Sequence, residues 1–160
     1  MKKNNSGFTI IEVVLVLAIA GLIFLAVFIA LPALQRGQRD TQRRSDAGTF
    51  MSQLQSYATN NNGKLPSDAT SLTSFVSGYL RKGATATNPM FVDPKTGSNY
   101  TVSLAADATA ANAASVGQVM YLYKGTCNGT ERASVGTNNR QAAVVMGLEG
   151  AGRFCKDMGV

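Results

Sequence analysis

The sequence contains no histidine and no tryptophan. Without an imidazole, any mechanism that needs a histidine base or a histidine metal ligand is excluded, the Ser-His-Asp triad and most catalytic zinc sites among them. Charge is also sparse: Asp, Glu, Lys and Arg make up 15% of the chain, against about 25% in ordinary soluble domains. Only two cysteines are present, Cys127 and Cys155, far apart and without the C-x-x-C spacing of metal or redox motifs. They favour a single disulfide in an exported domain, with two free buried thiols as the alternative. The acidic residues Asp93, Asp107, Glu131, Glu149 and Asp157 are scattered too widely to nominate a calcium site, which needs six or more oxygens. Asp93-Pro94-Lys95-Thr96-Gly97 reads as a turn. No metal, no cofactor and no enzyme activity are expected.

What the chain does have is concentrated. Its 160 residues suit one domain with an anchor, and Val13 to Leu31 is an unbroken run drawn only from Val, Leu, Ile, Ala, Phe and Gly. At ~1.5 Å per helical residue the run nearly matches the ~30 Å hydrocarbon core of a bilayer. A buried helix of a soluble core is the bland alternative. A cleavable secretory signal is the closer competitor, since Lys2 and Lys3 resemble its basic start and Ala18-Ile19-Ala20 its cleavage site. Cleavage there would strand Leu22 to Leu31 as an apolar terminus, and Glu12 would interrupt the stretch a signal needs to be apolar.

A carboxylate inside a bilayer costs about 2.5 kcal/mol or more, so Glu12 needs a partner or a place near the headgroups. Four residues earlier, a short polar leader meets the apolar segment at Gly7-Phe8. The run Lys2-Lys3-Asn4-Asn5-Ser6-Gly7 followed by Phe8-Thr9-Ile10-Ile11-Glu12-Val13-Val14-Leu15 resembles the class III signal of type IV pilins and their relatives. The resemblance covers about 30 residues by motif and the rest by layout. It implies that a membrane prepilin peptidase cuts after Gly7 and methylates the new amine of Phe8, and that Glu12 pairs with that amine on a neighbouring subunit. Each charge is costly alone in a medium of low dielectric and each offsets the other.

The resemblance further implies a homo-oligomeric helical filament for adhesion, twitching motility or DNA uptake, built by an assembly platform and separate ATPases. The subunit would be a single-pass protein of the inner, cytoplasmic membrane before assembly and part of an extracellular pilus afterwards. A pseudopilin of type II secretion, or a minor or competence pilin, is the near alternative; a tethered binding protein that never polymerises is the distant one. Lys2 and Lys3 favour a cytoplasmic N-terminus, whereas Arg36, Arg39, Arg43 and Arg44 oppose that assignment by charge. The resemblance implies that the N-terminus stays inside. Those arginines read as a solvated or headgroup-facing surface, or as partners of acidic groups in a packed filament. Cleavage removes Lys2 and Lys3 from a net charge of +6, leaving a surplus that allows salt-sensitive contact with DNA but no motif that reads bases.

The expected organisation is a leader over residues 1–7, a hydrophobic transmembrane and polymerisation helix over 8–35, and an exported globular head over 36–160. The fold class is α+β, a long N-terminal helix packed on a small antiparallel sheet of three or four strands. Pro32 removes an N–H and crowds a carbonyl, and Gly21 weakens the same helix, so a kink or a melted stretch is expected there. Beyond it, Ala47, Phe50, Met51, Leu54, Tyr57 and Ala58 recur with helical spacing, and Asn60-Asn61-Asn62-Gly63 ends the helix. Asp68 or Ser71 caps a short helix carrying Leu72, Phe75, Val76, Tyr79 and Leu80. Tyr100 to Leu104, Gln118 to Tyr123 and Ala142 to Leu148 read as strands, and Ala105 to Ser115 as a surface loop or weak helix. The disulfide of the alternative favoured above would pin the C-terminal segment to the sheet, as such a bond does in many pilins.

Overall fold

The computed structural model describes residues 7–83, 91–150 and 152–159. The chain divides into two units, one ending at Arg36 and the other beginning at Gly37. Helix α1, Ile10–Asn60, contributes to both.

In the first unit every large apolar side chain of the helix is exposed, from Ile10 to Leu34. An 18-residue window of α1 has a mean hydropathy of 3.2, and it makes α1 the one helix among the described residues that is long and apolar enough to cross a membrane. Exposed apolar surface on this scale calls for a cover of lipid or protein. The helix continues through Gly21 and Pro32 without melting, because one missing N–H leaves the hydrogen bonds on either side in place.

In the second unit α1 buries a single stripe: Asp40, Arg43, Ala47, Phe50, Met51 and Leu54. The apolar part follows the spacing expected for a helix with one packed face. The helix ends where Asn62 and Gly63 adopt positive φ and the Gly63 amide bonds back to the Ala58 carbonyl at 2.7 Å. Asp68 then caps α2, Ala69–Phe75, accepting from the Thr70 and Ser71 amides while the Ser71 hydroxyl returns to the cap. The chain continues as a π-helical turn, Val76–Leu80. Phe75 packs edge-on against Phe50, ring centroids 5.2 Å apart, and against Tyr57 at 5.6 Å.

Four strands, β1 (Thr101–Leu104), β2 (Gln118–Tyr123), β5 (Ala142–Gly147) and β6 (Arg153–Asp157), form the main sheet in the order β1-β2-β5-β6. Strand β5 is buried along its whole length, which accounts for its continuous apolar run. Ala142, Val144 and Met146 face the core shared with α1, whereas Ala143 and Val145 face a second core with Leu122, Ala133 and Cys155.

The α+β class and the packing of the long helix on a small sheet are as expected. Two features go beyond an antiparallel sheet. Strand β1 runs parallel to β2, with Val102 opposite Val119, because the connection between them crosses over through α3, Ala108–Ala111. Strands β3 (Gly125–Asn128) and β4 (Arg132–Val135) form a separate two-stranded sheet. The Ala105 to Ser115 segment is less superficial than its composition suggests. Asp107 caps the one-turn α3, and Ala105, Ala111 and Ala114 are buried in the second core, where small side chains allow close approach.

Candidate functional site

The sequence-derived site residues fall at the start of the first unit. Gly7 is exposed, with no atom within 4 Å of the position a Cβ would occupy. Phe8 is 86% exposed and precedes the helix. Thr9 occupies the cap position: its Oγ1 accepts from the Glu12 amide at 3.4 Å and donates to Glu12 Oε2 at the same distance. Glu12 thus lies in the first turn, where a carboxylate interacts favourably with the helix dipole. Phe8, Glu12, Val13, Val16 and Leu17 line one shallow depression. A small residue before Phe8, a bulky apolar residue at the junction and an acid one turn into the helix are thereby presented together on an unobstructed segment.

The second arrangement of charged groups was not legible as a site. Arg43, expected on a solvated or headgroup-facing surface or as a partner of acidic groups in a packed filament, is instead fully buried within the head. Its Nη1 donates to Asp40 Oδ1 at 2.8 Å and lies 2.9 Å from Glu149 Oε1, while Nε and Nη2 both donate to Asp93 Oδ1. Arg39 holds Glu149 in a bidentate pair, with both contacts at 2.8 Å. Asp40 in turn accepts from the Glu149 and Gly150 amides, both at 2.8 Å. Arg44 instead lies over the Phe154 ring, 5.2 Å from its centroid.

The fork from Arg39, aided by Arg43, holds the Glu149 carboxyl down at about 2, well below its ordinary 4.5. Burial works against the charge on Asp40, but the amides of Glu149 and Gly150 and the Arg43 guanidinium outweigh it and lower its pKa. Burial likewise opposes the charge on Arg43, and its hydrogen bonds to Asp93, Glu149 and Asp40 outweigh that opposition. Two acids that seemed scattered, Asp93 and Glu149, therefore meet around a guanidinium that uses their lone pairs. The cluster ties α1 to two distant loops and has the character of a buried structural network. One signal could have found it: residues 40 and 43 continue the helical face of Ala47, Phe50 and Leu54.

Cys127 and Cys155 are joined, with their Cα atoms 5.8 Å apart. The bond fastens β3 to β6, reinforced by the Cys127 amide donating to Asp157 Oδ2 at 2.7 Å. Among the described residues no group of three His, Cys, Asp or Glu side chains is arranged to hold a metal ion.

Compared with known proteins, residues 2–28 match the prokaryotic N-terminal methylation motif. No curated protein and no solved structure gives a significant match.

Proposed function

We propose that this chain, whose residues 2–28 match the prokaryotic N-terminal methylation motif, is a pilin-like prepilin and a structural subunit that polymerises into a type IV pilus through its N-terminal helix. The observation that carries this reading is the coincidence of the methylation motif with a helix whose large apolar side chains from Ile10 to Leu34 are all exposed among the described residues. Residues 1–7 are the leader, cut after Gly7 by a prepilin peptidase that then methylates Phe8. Residues 8–35 anchor the subunit in the inner membrane before assembly and pack against their counterparts in the filament, and residues 36–160 form the exported head. Pro32 and Gly21 are where the helix yields during assembly.

Glu12 supplies the assembly contact. Within one helix, backbone geometry limits how well its carboxylate meets the amine of Phe8. Between subunits shifted along the filament axis the two charges meet directly, and each removes the other's desolvation cost. An assembly platform and separate ATPases do the work of extrusion; the finished pilus acts in adhesion, twitching motility or DNA uptake.

Mass spectrometry of filaments sheared from intact cells tests the reading. The expected result is an abundant chain that begins at methylated Phe8. A chain cut at Phe8 but confined to the membrane fraction would replace the surface pilus by a pseudopilin or minor subunit, and an uncut chain would overturn the reading.

A further inference from the structure

Arg81 follows the π-helical turn and lines a cleft of about 410 Å³ together with Leu72, Val76, Asn99 and Val102, beside the outer edge of β1. Its Nη2 donates to the Tyr100 carbonyl, but its Nε is buried and has no acceptor among the described residues. A buried donor left unpaired is costly, and more so on a charged group. Every ion pair found among the described residues belongs to Arg39 or Arg43, so Arg81 has no carboxylate there. The stretch 84–90 that follows it in sequence contains no Asp or Glu. Lys82 next to it is exposed and adds positive charge.

The head's carboxylates are almost all engaged. Asp40, Asp93 and Glu149 surround Arg43; Asp46 accepts from the Tyr100 hydroxyl; Asp68 and Asp107 cap helices; Asp157 accepts from the Cys127 amide. Glu131 has no partner among the described residues. It is exposed in the turn between β3 and β4, and that turn is held firmly: the neighbouring Thr130 carbonyl accepts from the Cys155 amide at 2.8 Å, and Cys127 is disulfide-bonded to Cys155. The unpaired acid is thus fastened to β6 and the unpaired guanidinium lies beside β1, the two opposite edges of one sheet.

We propose that Glu131 of one copy enters the Arg81 cleft of a second copy, where its carboxylate accepts from the guanidinium donors that the head leaves unused. A charge-assisted pair of this kind is among the stronger polar contacts. Donor and acceptor sit on different edges, so a contact that uses one such pair per interface is heterologous: it adds subunits without closing a dimer. The proposal rests on the polymerisation reading above and assigns the head its own part in it.

The test uses the full chain in cells, measuring sheared filament against subunit held in the membrane, for the parent and for Arg81→Glu, Glu131→Arg and the doubly exchanged chain. Each single reversal is expected to lower filament yield at least about tenfold, as for charge pairs desolvated at an interface, with subunit level and the Cys127–Cys155 bond unchanged. The exchanged chain is expected to recover to within about threefold of the parent. Parent-like yield from either single reversal, or an exchanged chain no better than the singles, would overturn the pair while leaving polymerisation intact. A parent that forms no filaments would remove the polymerisation reading, and this proposal with it. Should Arg81→Glu fail to accumulate, Arg81→Met and Glu131→Gln serve instead. A double variant no worse than either single supports the pair, and fully additive losses overturn it.

Discussion

Arg43 and Asp93, fifty residues apart in sequence, are joined by two hydrogen bonds that converge on the same carboxylate oxygen, Oδ1. Neither side chain reaches solvent to any useful extent, so each depends on the other for the hydration it has lost. This pair, with Asp40 and Glu149, links the helix to the turn before β1 and to the loop between β5 and β6.

Replacing Arg43 by Met keeps much of the side-chain volume but leaves Asp93 buried without a counter-charge. The expected cost is about 3–5 kcal/mol, the range for breaking one side of a buried pair. Chemical denaturation of the full chain in detergent, followed through tyrosine ellipticity, measures it. A loss under about 1 kcal/mol would mean that water reaches the cluster.

Acid should loosen the same network. Glu149 titrates near 2 in the folded chain, below its ordinary 4.5, and Asp40 is also lowered, so the unfolded chain binds more protons in that interval. Stability is therefore expected to be level above about pH 5 and to fall as pH drops from about 4.5 toward 2. Thermal unfolding across this range reads the slope, and Glu149→Gln should flatten part of it.

Exchanging both cysteines for serine removes a cross-link between residues 28 apart in sequence. In the loop-entropy account this costs about 3.5 kcal/mol. The β3–β4 hairpin should become the first site of proteolysis, because Cys155 no longer holds Cys127. Limited digestion with peptide mapping would locate the cut.

Gly147 marks a close approach of two backbones. A Cβ there would overlap the Ser115 carbonyl group and the Val116 nitrogen, all backbone atoms, where Val116 bridges to Gly147 in parallel fashion. Gly147→Ala is expected to destabilise the head by about 1–3 kcal/mol, as overpacking does, whereas Gly48→Ala on the open helix surface should stabilise it slightly. Comparing denaturation midpoints of the two variants decides the point.

At the N-terminus, Gly7→Val is expected to leave the leader in place, and Glu12→Ala to be processed normally yet stay out of filaments. Immunoblots of membrane and sheared fractions separate the two outcomes. Normal piliation by the Glu12→Ala chain would remove the assembly role of Glu12.

The long helix, its packed stripe from Ala47 to Leu54 and the strands β1, β2 and β5 were legible because each has a strong local period or a continuous apolar run. Strands β3, β4 and β6 were not. Gly125-Thr126-Cys127-Asn128 and Arg153-Phe154-Cys155-Lys156-Asp157 carry too few apolar or β-branched residues for a local signal, and their pairing is decided by the covalent bond and by β5. The parallel direction of β1 was hidden because the crossover, residues 105–117, carries only the one-turn helix Ala108–Ala111 and so no helical period, although its length suits a parallel connection. Arg43 was misplaced for a related reason. A charge on a helix is ordinarily solvated, and nothing near it in sequence reveals partners at Asp93 and Glu149.

That separation also sets an order in time. At translation rates of about 5–20 residues per second, Arg43 is made roughly 5–20 s before Glu149, which follows it by about a hundred residues. Throughout that interval the guanidinium lacks one of its three carboxylate partners, and Asp40 lacks the amides of Glu149 and Gly150. The helix face that carries Asp40 and Arg43 is therefore fully compensated only once the loop between β5 and β6 has been made, so the first charges of this network to be synthesised wait for the last.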